Sequence, residues 1–296
     1  MTIETASPLE AAAAEPPAPR PWAEHWRRFS RNRAALLGLV VVAAIALMAL
    51  TAPWLASHDP TAISRDRLLP PGAAHLMGTD NVGKDVFSAV VHGARTSLIV
   101  GLLAGLVSLA IGLGVGGVAG YYGGWIDSVL MRTAEFFQII PRFFLAIVIV
   151  ALLGGGLEKT ILVIGALSWP ATARIIRAQF LALKEREMVE AARAVGFSDW
   201  HIMAREILPN AIGPAIVQGA LDVSEAILLE SGLSFFGLSN PDAPSWGEML
   251  NRAQPFLRSA WWMSVFPGVA IFTLVLAFNL VADGLNDMLN PDLKER

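Results

Sequence analysis

The chain has 296 residues, of which 54% are hydrophobic and only 16% are charged, and its formal net charge at pH 7 is -3. Soluble domains carry about 25% charged residues, so this composition favours a protein surrounded by lipid over one with a large water-soluble core. The chain contains no cysteine, which excludes disulfides, thiolate metal sites and a cysteine nucleophile.

The N-terminal segment 1–33 is predicted to be a disordered tail that ends in a basic stretch. From Met1 to about Pro21 it is rich in Ala, Pro and Glu and lacks the apolar side chains that a packed structure needs. The arginines that follow are Arg27, Arg28, Arg31 and Arg33. The next apolar run, 34–55, is longer than the apolar region of a signal peptide and ends in no clear cleavage site. We therefore predict a retained first membrane helix.

Six apolar segments are long enough to cross a membrane, which predicts an all-α, polytopic membrane protein with six transmembrane helices. A helix needs about 20 residues to cross a hydrocarbon core about 30 Å thick. Charges interrupt the third and the fifth segment. The six segments are 34–55, 96–119, 134–154, 160–180, 209–235 and 261–282.

The distribution of Lys and Arg predicts that both termini are cytoplasmic. With the N-terminus inside, the inner segments carry twice as many Lys and Arg residues as the outer ones, as the positive-inside rule expects. This orientation puts 56–94 outside, followed by a five-helix core at 95–283. The basic loop 184–206 within that core and the tail 284–296 then lie inside.

Two glycine patterns resemble nucleotide-binding motifs, and neither is interpreted as one. Gly78-x4-Gly83-Lys84 is followed by Asp85, where a phosphate loop requires a Ser or Thr hydroxyl, and no buried strand precedes it. A second pattern, GxGxxG at 112–117, lies inside an apolar helix instead of after a strand. Small residues four apart allow close helix packing in lipid. The glycines at this spacing are Gly101 and Gly105, and Gly112, Gly116 and Gly120.

No catalytic, cofactor or metal site is predicted, so the chain is not expected to be an enzyme. The histidines are far apart in sequence and no two have i, i+4 spacing, which favours scattered interfacial or loop positions. No Ser lies in a nucleophile-elbow context. The histidines are His25, His58, His75, His92 and His201.

The basic loop 184–206 is predicted to form two short helices on the inner face. Gly196 suits the left-handed residue that ends the first helix, and Ser198 or Asp199 can cap the second. The residues alone leave two interpretations equally open: a solvated loop lying on the membrane, or a docking element for a cytoplasmic partner.

The same loop contains Glu190-Ala191-Ala192-x3-Gly196 and is followed by Leu208-Pro209 at a fixed spacing. This pattern resembles the EAA loop of ABC importer permeases. In that family the loop forms coupling helices that fit into a groove on the ATPase subunits. The general pattern expects Ile two residues before Leu-Pro, where this chain has Glu206. That departure resembles the peptide-importer branch, where Ile-Leu-Pro-Asn is usual. The residues to which the resemblance gives an ATPase-coupling role are Glu190, Ala191, Ala192, Gly196, Leu208 and Pro209.

Three further stretches resemble the C-type permeases of dipeptide, oligopeptide and nickel systems: 75–98, 233–250 and 283–291. The resemblance implies a MetI-like permease in the bacterial cytoplasmic membrane. It also implies a homologous second permease, two ATPase subunits and an external substrate-binding protein. Dipeptides or oligopeptides are the expected cargo. A nickel chelate or another small solute is an alternative, as is a channel or secondary transporter without an ATPase, although no clear inverted repeat is present.

Charges inside the predicted spans are candidates for the translocation path, because a charge in lipid is costly and usually marks a cavity or a partner. Asp222 and Glu225 share a face of the fifth span, where they either line the path or form hydrogen bonds between subunits. Arg142 follows Pro141 in the third span. It either extends toward the membrane surface or binds a peptide carboxylate in the cavity.

Overall fold

A computed structural model describes residues 21–238 and 244–289, and this part of the chain is a bundle of helices. Its only extended pairing among the described residues is one isolated bridge between Thr79 and Asp85. The predicted disordered residues before Pro21 and the end of the C-terminal tail lie outside the described residues. The helices are α1 Pro21–Arg31, α2 Arg33–Leu50, α3 Ala52–Leu55, α4 Val86–Tyr122, α5 Gly124–Ile139, α6 Arg142–Leu153, α7 Leu157–Leu183, α8 Glu187–Ala194, α9 Asp199–His201, α10 Leu208–Phe235, α11 Trp246–Ala253 and α12 Trp262–Leu289, with a π-helical segment Ile202–Ile207 and a 3-10 turn Gln254–Phe256.

The basic stretch before the first span is helical. Helix α1 packs on the end of α12, where Phe29 is buried and lies close to Gly284. The next residues add a polar contact, because the Asn32 side-chain amide donates to the Asp287 carboxylate over 2.7 Å. Hydrophobic packing outside the apolar run therefore orders residues that composition alone assigned to the tail.

Two long helices, α4 and α7, lie parallel and almost backbone to backbone. A methyl group added at Gly112 would lie 2.6 Å from Thr172 Cβ, and one added at Gly120 would lie 2.6 Å from Phe180 Cβ. Residue numbers rise together along the two helices, so both run in the same direction. Glycine at these positions lets the helices approach closely, as the four-residue spacing predicts.

The N-terminal half of α4 packs closely on another helix in the same way. A methyl group at Gly101 would meet Ile227, and one at Gly105 would meet Val223, both on α10. Here the residue numbers run in opposite directions, so α10 is antiparallel to α4. The α2 and α12 pair is also antiparallel, since Ala35 of α2 lies beside Gly284 of α12 and Gly38 lies beside Ala277.

The parallel arrangement of α4 and α7 requires the chain to cross the membrane between them. The bent pair of α5 and α6 makes this crossing, with a bend of 88°. Together with five continuous apolar helices, it gives six crossings in the described part of the chain. The predicted all-α architecture with six spans is confirmed.

The third span differs from the predicted straight segment 134–154. It begins at Gly124 and breaks at Ile140 and Pro141. Ile140 has an extended backbone, with φ -83° and ψ 129°, because the residue before a proline is disfavoured in the helical region. Arg142 is therefore the first residue of the second arm of this span, and not a residue in the middle of one helix.

Substituting Gly116 with Val is expected to disrupt the α4–α7 contact, because a side chain there would overlap the Ala173 backbone. Overpacking costs about 1–3 kcal/mol, so thermal unfolding of the purified chain in lipid nanodiscs should shift to lower temperature. Gly114→Val is the matched control, since nothing lies within 4 Å of a methyl group at Gly114. Equal unfolding temperatures for the two variants would contradict the packing role.

Candidate functional site

The loop 184–206, which we call the inner loop after its predicted position, begins with helix α8 and a tight turn. Gly196 has φ +88°, the left-handed conformation predicted for it. Its N–H donates to Arg193 O over 2.9 Å, and the Phe197 N–H donates to Ala192 O over 3.1 Å. These two hydrogen bonds close the end of the helix. Ser198 then caps the next helix by accepting from the His201 N–H over 3.4 Å.

The second arm of the inner loop is continuous with the fifth span instead of being a separate short helix. Residues 199–235 form one helix that contains the π-helical segment Ile202–Ile207. The Leu208 N–H bonds to Met203 O, five residues back. Pro209 follows and has no N–H to donate, so the hydrogen-bond pattern is irregular at the point where the predicted entry to the span lies.

One face of the inner loop is fixed to the membrane helices. Val189 and Ile202 are fully buried in a cluster with Ile176 and Phe180 of α7. The Tyr121 hydroxyl, at the end of α4, donates to Asp199 Oδ1 over 2.7 Å. These contacts attach the inner loop to the ends of α4 and α7.

The other face of the inner loop is exposed and partly apolar. All residues from 193 to 200 are exposed, and Val195 and Trp200 are 74% and 75% exposed. Phe197 lies between them in sequence and stacks on His201 with ring centroids 4.3 Å apart. We call Val195, Phe197 and Trp200 the docking face. Exposed apolar groups of this kind mark interaction sites.

The six residues matched to the coupling motif divide between these two faces. Ala192 is buried, and Leu208 packs on the edge of the buried cluster. The exposed members are Glu190, Ala191, Gly196 and Pro209. In the sequence, the residues of the docking face are only apolar residues among charged ones. No periodicity there indicates which of them are exposed.

The three charged residues predicted for the translocation path occupy two environments. Asp222 is only 1% exposed and accepts hydrogen bonds from Ser108 of α4, Thr172 of α7 and Gln218 of α10. It therefore joins three helices of its own chain. Glu225, one helical turn further, is separated from it and remains partly exposed.

Glu225 meets Arg142 across the break in the third span. Arg142 Nη1 donates to Glu225 Oε2 over 2.7 Å, and both side chains are partly exposed. The bend at Pro141 places the arginine at the start of α6, beside α10. The sequence contained both charges but gave no indication that they form a pair.

The stretch Gly78 to Lys84, which resembles a phosphate loop, folds around the side chain of Asp80. Asp80 Oδ1 accepts from the N–H groups of Val82 and Lys84 over 2.9 and 2.8 Å. These amides, which would hold a phosphate in a phosphate loop, are bound within the chain. The stretch therefore shapes the segment between the first span and α4, residues 56–85, which we call the outer segment after its predicted position.

Two histidines that are far apart in sequence meet in this outer segment, so the expectation that they are scattered is wrong for them. The rings of His58 and His75 lie 4.8 Å apart, and His75 Nδ1 lies 2.9 Å from Asp85 Oδ1. Burial raises the pKa of Asp85, but hydrogen bonds from Ser88 and His75 outweigh this effect and hold the pKa below its usual value. Asp85 is therefore a carboxylate at neutral pH.

Comparison with known families assigns the chain. Residues 112–295 match the family described as the binding-protein-dependent transport system inner membrane component. Residues 20–71 match the N-terminal transmembrane domain of oligopeptide transport permease C. The chain belongs to this family of importer permeases.

Individual relatives place the permease in the peptide branch. A dipeptide transport system permease protein of Alkalihalophilus pseudofirmus is 38% identical over 99% of this chain and 100% of its own length. A di/tripeptide transport system permease protein of Pseudomonas aeruginosa is 40% identical over 93% of this chain and 94% of its own length. A glutathione transport system permease protein of Pectobacterium atrosepticum is 39% identical over 93% and 92%.

A solved structure supports the fold. The permease resembles a chain of the MetNI methionine ABC transporter in an inward-facing conformation, with a TM-score of 0.50 and 18% identity. The match covers 67% of this chain and 96% of the other. The protein is thus a multi-pass inner-membrane permease subunit of an ABC importer of the peptide class.

The turn at Gly196 gives a direct test of the inner-loop geometry. A methyl group at Gly196 meets nothing within 4 Å, so Gly196→Ala acts only through its left-handed backbone, at a cost of about 1–2 kcal/mol. Amide hydrogen exchange of residues 194–198 should become faster. Gly268→Ala is the control, because that site is equally open and its φ is not left-handed. Unchanged exchange in Gly196→Ala would show that the turn does not depend on glycine.

Proposed function

We propose that this permease forms one half of the translocation pore of an ATP-driven importer of dipeptides or oligopeptides. A homologous second permease would form the other half. Two ATP-binding subunits would dock on the cytoplasmic side, and an external substrate-binding protein would deliver the peptide. The full-length similarity to dipeptide permeases supports this cargo, and the glutathione relative extends it to a peptide with an unusual linkage.

The docking face carries the proposal. An importer permease needs a cytoplasmic surface on which ATPase closure can act, and Val195, Phe197 and Trp200 expose apolar area at the turn of the inner loop. The buried face of the same loop is held by α7 and, through the Tyr121–Asp199 hydrogen bond, by α4. A push on the docking face is therefore transmitted to the membrane helices instead of being absorbed by a flexible loop.

In this proposal, the continuous helix 199–235 transmits motion of the inner loop across the membrane. At 1.5 Å per residue it is about 55 Å long, enough to cross the bilayer from the inner loop to the outer surface. It carries Asp222, whose hydrogen bonds tie it to α4 and α7, and Glu225, which faces Arg142. Motion of the inner loop therefore reaches the middle of the pore through a single element.

The Arg142–Glu225 pair is the part of the translocation path that suits a peptide. A zwitterionic peptide has an ammonium group at one end and a carboxylate at the other. Glu225 is complementary to the first and Arg142 to the second, and both side chains are partly exposed in this chain. We assign Asp222 to helix packing, since its carboxylate is occupied by three donors.

Both termini are proposed to be cytoplasmic, with the inner loop on the same side. The chain lacks cysteine, so single substitutions Ala62→Cys and Ala194→Cys give clean labelling sites, both exposed. In intact cells stripped of the outer membrane, an impermeant maleimide should label the variant at 62 and not the variant at 194. The reverse pattern would invert the topology.

Trp200→Ala should uncouple transport from ATP hydrolysis. Removing this side chain deletes the largest part of the docking face, so the complex should lose most ATP-dependent peptide uptake at unchanged membrane level. Central interface tryptophans cost about 2 kcal/mol or more when truncated. Trp125→Ala is the matched control, because Trp125 is 76% exposed and lies outside the inner loop. Full uptake with Trp200→Ala would remove the docking role.

Arg142→Leu should change which peptides are transported. A charge-assisted hydrogen bond to a carboxylate contributes about 1.5–3 kcal/mol, so uptake of a dipeptide should fall about tenfold or more. Uptake of the same dipeptide with an amidated C-terminus should be unaffected, because it has no carboxylate to lose. Competition between the two labelled substrates in the same vesicles measures this directly. If the variant keeps the parent's preference for the free dipeptide over its amide, carboxylate recognition by Arg142 is excluded.

A further inference from the structure

The outer segment brings together two imidazoles and a carboxylate that no part of the transport mechanism uses. His58 follows the first span, His75 lies in the loop before α4, and Asp85 caps the start of α4. One potential ligand atom from each lies within 4.8 Å of the other two. His75 Nδ1 is 2.9 Å and His58 Nδ1 is 3.9 Å from the same oxygen, Asp85 Oδ1.

The carboxylate is held so that this oxygen faces the histidines. Asp85 Oδ2 accepts from the Ser88 N–H over 2.8 Å and from the Ser88 hydroxyl over 2.7 Å. These bonds occupy one oxygen and leave Oδ1 directed at His75 and His58. The His58 backbone N–H also donates to Ser88 Oγ, over 3.2 Å. The same serine therefore positions two of the three groups.

The ligand types and spacings suit a transition-metal ion. Zinc binds imidazole nitrogen and carboxylate oxygen at about 2.0–2.2 Å, which puts tetrahedral ligand atoms about 3.3 Å apart. The two distances to Asp85 Oδ1 lie on either side of this value. Two nitrogen ligands favour Zn²⁺ and its neighbours over Mg²⁺ or Ca²⁺, which prefer oxygen.

The cluster is also accessible from one side. Asp85 is buried and His75 nearly so, but the His58 side chain is 45% exposed. A hydrogen-bonded pair of His75 and Asp85 alone would not require a second imidazole. Within the described residues, the His58 ring forms a hydrogen bond only with the hydroxyl of the neighbouring Ser57, over 3.0 Å. An ion can enter past His58 and keep water in its remaining positions.

We propose that His58, His75 and Asp85 form a binding site for a divalent transition-metal ion of the zinc class on the outer face of the permease. The ion links the segment after the first span to the N-terminus of α4. It thereby braces the outer segment that precedes the translocation helices. Nothing in this proposal depends on which peptide is transported.

The test uses the full chain in lipid nanodiscs, purified through a tag without histidine. Isothermal titration with Zn²⁺ should show one saturable site per chain, and Co²⁺ should give visible ligand-field absorption. His58→Gln should weaken Zn²⁺ binding about tenfold or more and abolish the Co²⁺ bands. His92→Gln is the control, because His92 bonds to Ser88 O and lies outside the cluster, and it should bind like the parent.

A thermal measurement separates metal binding from a folding defect. Without metal, His58→Gln should unfold at the same temperature as the parent chain, because His58 is half exposed. Saturating Zn²⁺ should raise the unfolding temperature of the parent and of His92→Gln, but not that of His58→Gln. The absence of a saturable site in the parent, or equal Zn²⁺ affinity in parent and His58→Gln, would overturn the proposal.

Discussion

Close contact between α4 and α7 is the constraint on which the rest of the structure depends. Their glycines allow two long helices to lie parallel with their backbones nearly touching, as at Gly112 and Gly120. Because parallel neighbours cannot follow one another directly across a membrane, the intervening chain must cross as well. The bent pair of α5 and α6 makes that crossing, and its geometry follows from the contact. The salt bridge between Asp127 of α5 and Arg177 of α7 holds the first turn of α5 against α7, where the chain turns back toward the membrane.

The same contact determines the environments of the charges in the membrane. Thr172 of α7 and Ser108 of α4 converge on Asp222, so this carboxylate is satisfied inside the chain. One turn along α10, Glu225 lies beyond the packed interface and meets Arg142 at the break. A single helix thus combines a buried packing carboxylate with a partly exposed one, and we propose a contact with substrate only for the second.

In the inner loop, local hydrogen bonds and long-range packing together fix the position of the docking face. The turn at Gly196 presents the docking face, while the Tyr121–Asp199 bond and the buried cluster hold the loop to α4 and α7. The π-helical segment lets the helix accommodate Pro209 without ending. A continuous helical backbone therefore connects the docking face with Glu225.

Features determined by neighbouring residues could be predicted from the sequence. The spans follow from apolar runs, and the Gly196 turn and Ser198 cap follow from residue types with strong local preferences. Features that depend on distant contacts could not. The sequence placed Pro141 in a span but did not indicate a bend as large as 88°. Periodicity gave Asp222 and Glu225 a common face, and only tertiary packing separates them. His58 and His75 meet because the outer segment folds on Asp85.

Photo-crosslinking from the docking face tests most directly whether an ATPase acts on this permease. A benzoylphenylalanine replaces Phe197 in the assembled complex, and mass spectrometry identifies what it captures. The matched control carries the same group at Phe272, which is 66% exposed in the middle of α12. We predict that position 197 captures an ATP-binding subunit and that position 272 does not. A complex that is active in transport but forms no such crosslink at 197 would contradict the account.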